Sequence, residues 1–116
     1  ESQYGPGTGP LILARTDALH THSFSEALSR LTAFREECGC DMTFLEAPRT
    51  VSQMEEYCRT ITGPKLANML EYGVTPLLSP VTLKEMGYTM AAYPLTLLSG
   101  GIKSVRESLE VIKEGK

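Results

Sequence analysis

The chain has 116 residues, 41% of them hydrophobic and 22% charged, with a formal net charge of −3. That balance describes a folded globular chain rather than a disordered one, and its mild acidity leaves no basic footprint for nucleic acid or an anionic membrane. No apolar run approaches the roughly 18 to 20 residues that a membrane-spanning helix needs, nothing at the start reads as a signal or transit peptide, and because the sequence begins Glu1-Ser2-Gln3 rather than with methionine, a processed chain or an excerpt is an open expectation.

Residues 1–10 (ESQYGPGTGP) form a Gly/Pro-rich connector ahead of an α/β region over 11–116. Its GPGTG element is no phosphate loop, because no Lys-Ser/Thr follows and it precedes a strand instead of following one. Leu11 to Ala14 is a short aliphatic strand. Ser23 and Glu26 make a capping box, after which Ala27, Leu28, Leu31, Phe34 and Cys38 share one helical face until Gly39. Met42 to Leu45 reads as the second strand, closing at Glu46. Thr50 and Gln53 form a second capping box, followed by the stripe Val51, Met54, Cys58 and Ile61. Beyond Gly63-Pro64, Lys65-Leu66-Ala67 leads to Asn68. Ser79-Pro80 opens a short helix that Gly87 closes. Tyr88 to Tyr93 is the fourth strand, and Leu98, Ile102, Val105, Leu109 and Ile112 mark the apolar stripe of a last helix ending at Gly115.

The order is therefore β-α-β-α-β-α-β-α: about four parallel strands and four helices, with right-handed crossovers and strands buried on both faces. Three cysteines, Cys38, Cys40 and Cys58, make a poor disulfide framework and favour a reducing intracellular compartment: cytosol, mitochondrion or plastid. Cys38-Gly39-Cys40 is spaced too tightly for a usual zinc pair and reads as two small apolar residues at a helix end. Met42, Met54, Met69, Met86 and Met90 sit at core-like positions.

Polar groups close the strands at Arg15, Glu46, Asn68 and Tyr93. In parallel α/β folds chemistry gathers at the carboxyl ends of the strands, where the following loops share one rim. Arg15 can grip a carboxylate with its planar fork, Glu46 can orient a reacting proton or a metal-bound water, and Asn68 can donate and accept at once. Each also has a plain structural reading. Arg15 and Asp17 can pair with each other, Glu46-Ala47-Pro48 can be a turn, and Asn68 can satisfy backbone groups. Three in succession favour a shared rim. His20 and His22, two apart, read as a solvated loop, while Lys65, Tyr72 and Tyr93 fit either the mouth or packing.

ILARTDAL (12–19), FLEAP (44–48), KLANMLEYGVTPLL (65–78) and LKEMGYTMAAYPL (83–95) together resemble the isocitrate lyase and phosphoenolpyruvate mutase superfamily. The likeness is to its branch of methylisocitrate lyases and carboxyvinyl-carboxyphosphonate phosphonomutase-like proteins. It implies that residues 11–116 are the C-terminal half of a (β/α)8 TIM barrel. It also implies Mg2+ and a small keto-acid-related carboxylate, with C–C or P–C bonds cleaved or formed through an enolate. By the same resemblance Arg15 and Asn68 bind the substrate carboxylate, and Glu46 is the catalytic residue near the metal, reaching it through water. The family's metal-binding aspartates and its Lys-Lys-Cys-Gly-His loop precede the matched region, and Leu70 stands where several members carry a hydroxyl.

A closed barrel of this kind takes eight strands and about 250 residues. Four strands alone leave two unpaired parallel edges and one bare sheet face. The expected partners are a small carboxylate substrate and the remainder of the barrel, or a partner protein over the open edges. Further copies in a homo-oligomer are also expected, since superfamily members commonly form tetramers that exchange a terminal helix. Two functions are open: part of a Mg2+-dependent lyase or mutase, or a catalytically inactive relative serving as a structural or interaction subunit.

Overall fold

The computed structural model describes residues 7–116, so the first six residues of the connector lie outside the described residues, and residues 7–10 carry neither helix nor strand. Four strands, β1 (Leu13–Thr16), β2 (Met42–Leu45), β3 (Lys65–Asn68) and β4 (Met90–Ala92), pair in chain order in one sheet. All three pairings are parallel. Five helices accompany them: α1 (Ala18–Thr21), α2 (Phe24–Glu36), α3 (Val51–Thr60), α4 (Pro80–Met86) and α5 (Thr96–Lys113). The single turn α1 is the helix that periodicity missed, being too short to show a stripe. It places His20 in a helix and His22 at its C-cap, where a loop was expected.

Helix starts follow their side chains. Ser23, Thr50 and Ser79 accept from the amides of Glu26, Gln53 and Thr82 at 3.1 Å each. The two capping boxes close differently: Gln53 Oε1 reaches back to the Arg49 amide at 2.8 Å, whereas Glu26 turns to Arg30 at 2.7 Å. Gly87, with φ at 118°, ends α4 in the left-handed region that glycine enters without steric cost.

Side chains alternate across each strand, so the register sorts the sheet into two faces. Thr16, Thr43, Leu45, Lys65 and Ala67 face the helices and are buried. The core against them comprises Ala27 and Leu31 of α2, Met54 and Tyr57 of α3, Ile61, Leu83 of α4, and Tyr88. Tyr57, absent from the predicted stripe, is fully buried; its hydroxyl lies 2.7 Å from Thr43 Oγ1 and its ring meets Tyr88 edge-on at 5.9 Å. Val51 and Cys38, both assigned to apolar faces from spacing, are exposed.

The opposite sheet face carries Leu13, Arg15, Met42, Phe44, Leu66 and Met90; Met42 and Leu66 of the central strands are buried there, whereas the edge strands β1 and β4 are open on it, which corrects the expectation of burial on both faces for those two strands. Leu13 remains 40% and Met90 49% exposed, so Met90 is not core here. The final helix forms as expected but buries none of its residues, leaving Leu98, Ile102, Val105, Leu109 and Ile112 in solvent. Accordingly the radius of gyration is 18.7 Å, against about 13 Å for a compact domain of this length.

Two outcomes follow from the packing between α3 and the sheet. Tyr57→Phe leaves the buried Thr43 hydroxyl without its partner and should cost about 1–3 kcal/mol in denaturant unfolding; an unchanged midpoint would contradict that bond's role. Burial pushes the half-buried Cys58 thiol up to about 11, while Cys38 is exposed. Iodoacetamide at pH 8 should therefore modify Cys38 at least about tenfold faster than Cys58, as read by peptide mass spectrometry.

Candidate active site

The strand register builds two tiers on the face turned away from the helices. Arg15 pairs with Phe44, Phe44 with Leu66, and Leu66 with Met90, forming the lower tier. Two residues further along lie Asp17, Glu46, Asn68 and Ala92, the last two again register partners. The ladder continues beyond the strands, with Glu46 N donating to Thr16 O at 3.1 Å and Met69 N to Ala92 O at 2.8 Å. The polar tier thus stands at the carboxyl ends of the strands, where a parallel sheet delivers its loops.

Arg15 is the best-defined group in it. Its guanidinium lies 5.0 Å from the centroid of the Phe44 ring, a cation–π platform supplied by the neighbouring strand. Nε donates to Asp17 Oδ1 at 2.6 Å and Nη2 to Oδ2 at 3.1 Å, a side-on bidentate pair. Glu46 Oε1 lies 3.7 Å from the same Nη2. The plain reading of Arg15 with Asp17 therefore describes their contact correctly, and the Nη1 end of the fork has no partner among the described residues. The Asp17 hydrogen bond raises the Arg15 pKa against the opposing effect of burial, and the same bond holds the Asp17 carboxyl below its ordinary range.

Glu46 follows β2 directly, and its Oε2 is buried with no hydrogen-bond partner among the described residues. The next residue, Ala47, has φ at 55°, in the left-handed region that costs a non-glycine residue energy, and Pro48 follows it. Glu46-Ala47-Pro48 carries neither a hydrogen-bonded turn nor a bend, so its plain reading as a turn does not hold; the positive φ of Ala47 is the strained point immediately after the carboxylate. Asn68 is the half-buried last residue of β3.

Other candidates separate. Lys65 is not at the mouth: it starts β3 on the helix face, buried, with Nζ donating to Gly63 O at 2.8 Å and lying 6.0 Å from the Tyr57 ring centroid. Burial lowers its pKa. Tyr72 is fully exposed in the loop after β3, with φ at 63°. Tyr93 follows β4 and is exposed. Not singled out from sequence was Glu71, whose Oε1 accepts from Thr96 Oγ1 at the start of α5. A contact across 25 positions leaves no periodic signal.

Among the described residues no three or more His, Cys, Asp or Glu side chains gather into a metal cage. The orphaned Glu46 Oε2 fits an outer contact to a cation through water. No helix among the described residues is long and apolar enough to cross a membrane.

No family model matches the chain. Similar proteins do. Chloroplastic carboxyvinyl-carboxyphosphonate phosphorylmutase of Arabidopsis thaliana is 37% identical over 106 residues, 89% of this chain and 31% of that protein. A 2-methylisocitrate lyase of Aeropyrum pernix is 35% identical over 104 residues, 90% of this chain and 33% of that protein. In three dimensions the chain superposes on 2,3-dimethylmalate lyase, a PEP mutase/isocitrate lyase superfamily member, with a TM-score of 0.83 and 35% identity over 90% of this chain. The chain is homologous to that superfamily. Its four parallel strands and five helices match a fragment of the superfamily's TIM-barrel-like fold. Oxaloacetate acetylhydrolase, solved with its product oxalate, gives the same TM-score of 0.83 at 31% identity. The chain spans about a third of the length of the relatives it matches.

The Arg15–Asp17 pair yields a pH signature. Because the folded Asp17 pKa is depressed, the pair's contribution is present above the unfolded value near ~3.9 and is lost as pH falls through the lower folded value. Carbon-detected NMR should show Asp17 titrating below the ordinary range, and Arg15→Met should return it there. An Asp17 titration indifferent to Arg15 would contradict the pairing.

Proposed function

We propose that this chain forms part of a lyase or mutase that cleaves or forms a C–C or P–C bond beside a small, keto-acid-related carboxylate, through an enolate. The observation that supports it most is the single tier joining Asp17, Glu46 and Asn68 above Arg15, on the sheet face turned away from the helices. The relatives include lyases and a phosphorylmutase, which supports the same chemistry at family level.

In this reading Arg15 takes one substrate carboxylate on the Nη1 end of its fork, while Asp17 and the Phe44 ring keep the guanidinium plane from swinging. Asn68 donates to a second oxygen of the same anion. As the bond breaks, charge grows on the enolate oxygen, and fixed donors already aimed there lower the barrier without reorganising. Glu46 holds or passes a proton at its unpartnered Oε2, or fixes a water there. Mg2+, when bound, supplies positive charge to the same oxygens, its direct ligands lying outside the described residues.

The test uses the whole protein with Mg2+ and a panel of 2-methylisocitrate, 2,3-dimethylmalate, oxaloacetate and phosphonopyruvate. One of these should turn over. Arg15→Met should lower kcat/KM by roughly a hundredfold or more, and Asn68→Ala by about tenfold, with melting temperatures unchanged. Equal turnover by the Arg15 variant would overturn the assignment. Failure of the whole panel, with stable co-migration of another protein, would favour the inactive-subunit reading.

A further inference from the structure

The loop that leaves β3 next to Asn68 is tied across the mouth to the following βα unit. Met69 is fully buried, and its amide donates to Ala92 O of β4 at 2.8 Å. The chain then turns tightly: Gly73 N donates to Leu70 O at 3.1 Å, and a Cβ on Gly73 would stand 3.0 Å from that carbonyl. Between them Tyr72 is held at φ 63° while its ring points wholly into solvent, so its own side chain does nothing to stabilise that conformation. What holds the turn from outside is Glu71, whose Oε1 accepts the Thr96 hydroxyl of α5.

The other end of this contact has a matching need. Helix α5 starts after Leu95, which provides no side-chain cap, and none of its residues is buried. A carboxylate brought to its first turn by a different loop favours the positive end of the helix dipole. The Thr96 hydroxyl and a backbone amide hold the Glu71 carboxyl below the usual range, so it is ionised at neutral pH. The loop beside Asn68 and the start of α5 are thus each incomplete without the other.

We propose that the Glu71–Thr96 hydrogen bond is a strap across the mouth, and that Glu71 and Thr96 are positioning residues that set where Asn68 stands for carboxylate binding. This rests on the reading of the site given above. A cap that served only α5 would stabilise the first turn of that helix and leave the 69–73 loop and ligand affinity untouched.

Two measurements on the whole protein separate these roles: hydrogen–deuterium exchange of residues 69–73, and calorimetric affinity for oxalate in the presence of Mg2+. Thr96→Val and Glu71→Ala should speed exchange in the loop and weaken oxalate by roughly three- to tenfold, a misplaced Asn68 keeping part of its hydrogen bond to the anion. Thr96→Ser, which keeps the hydroxyl, should behave as the unsubstituted protein in both. Unchanged loop exchange in the Val and Ala variants would overturn the strap. Faster exchange with unchanged affinity would overturn its link to Asn68. Absence of oxalate binding by the unsubstituted protein, with loop exchange still dependent on Thr96, would instead remove the carboxylate-site reading and the positioning role with it, leaving only a loop contact.

Discussion

Parallel pairing of β1, β2 and β3 in one fixed register is the constraint on which the candidate site depends. Because side chains alternate with a period of two, a one-residue slip of any strand would send its polar end group to the helix side. With the observed register, Arg15 stands over Phe44, Glu46 follows the end of β2 with its carboxylate 3.7 Å from Arg15, and Asn68 ends β3. The helices hold that register from behind. Tyr57 of α3 bonds Thr43 in the strand that precedes Glu46, and Leu31, Met54 and Leu83 fill the layer between helices and sheet.

The same alternation explains the molecule's asymmetry. One sheet face is dry, while the other leaves Leu13 and Met90 open. In a closed barrel that second face is the interior, filled by layers of side chains from all the strands. Four strands supply part of those layers, in keeping with a chain that aligns with about a third of each relative. The polar groups crown an apolar face that is open at its edge strands, so that closing the wall would also desolvate the Arg15–Glu46 neighbourhood and strengthen its electrostatics.

Much of this was legible in the residues. Capping side chains at Ser23, Thr50 and Ser79 fixed three helix starts, since each satisfies an otherwise orphaned amide locally. Glu46 was correctly read as the residue closing β2, because the apolar run ends there. Arg15 was placed one residue past the end of its strand, yet β1 runs on to Thr16: register with Leu45, not hydropathy, decides that boundary. Lys65 fitted either the mouth or packing from its sequence, and the structure decides for packing, its long apolar stem letting it lie buried along Tyr57. The stripe of α5 correctly gave a helix but not its burial, for periodicity says which face wants covering and not whether anything covers it. Tyr57 and Glu71 escaped notice because their partners, Thr43 and Thr96, are brought close only by the fold.

The central claim is that guanidinium, carboxylate and carboxamide converge on one small anion. A crystal structure of the whole protein soaked with oxalate and Mg2+ tests it most directly. The account predicts oxalate density against Arg15 Nη1 and the Asn68 side chain, with Glu46 beside it. Oxalate bound elsewhere in the barrel, with Arg15 still closed on Asp17 and Asn68 turned away, would contradict it.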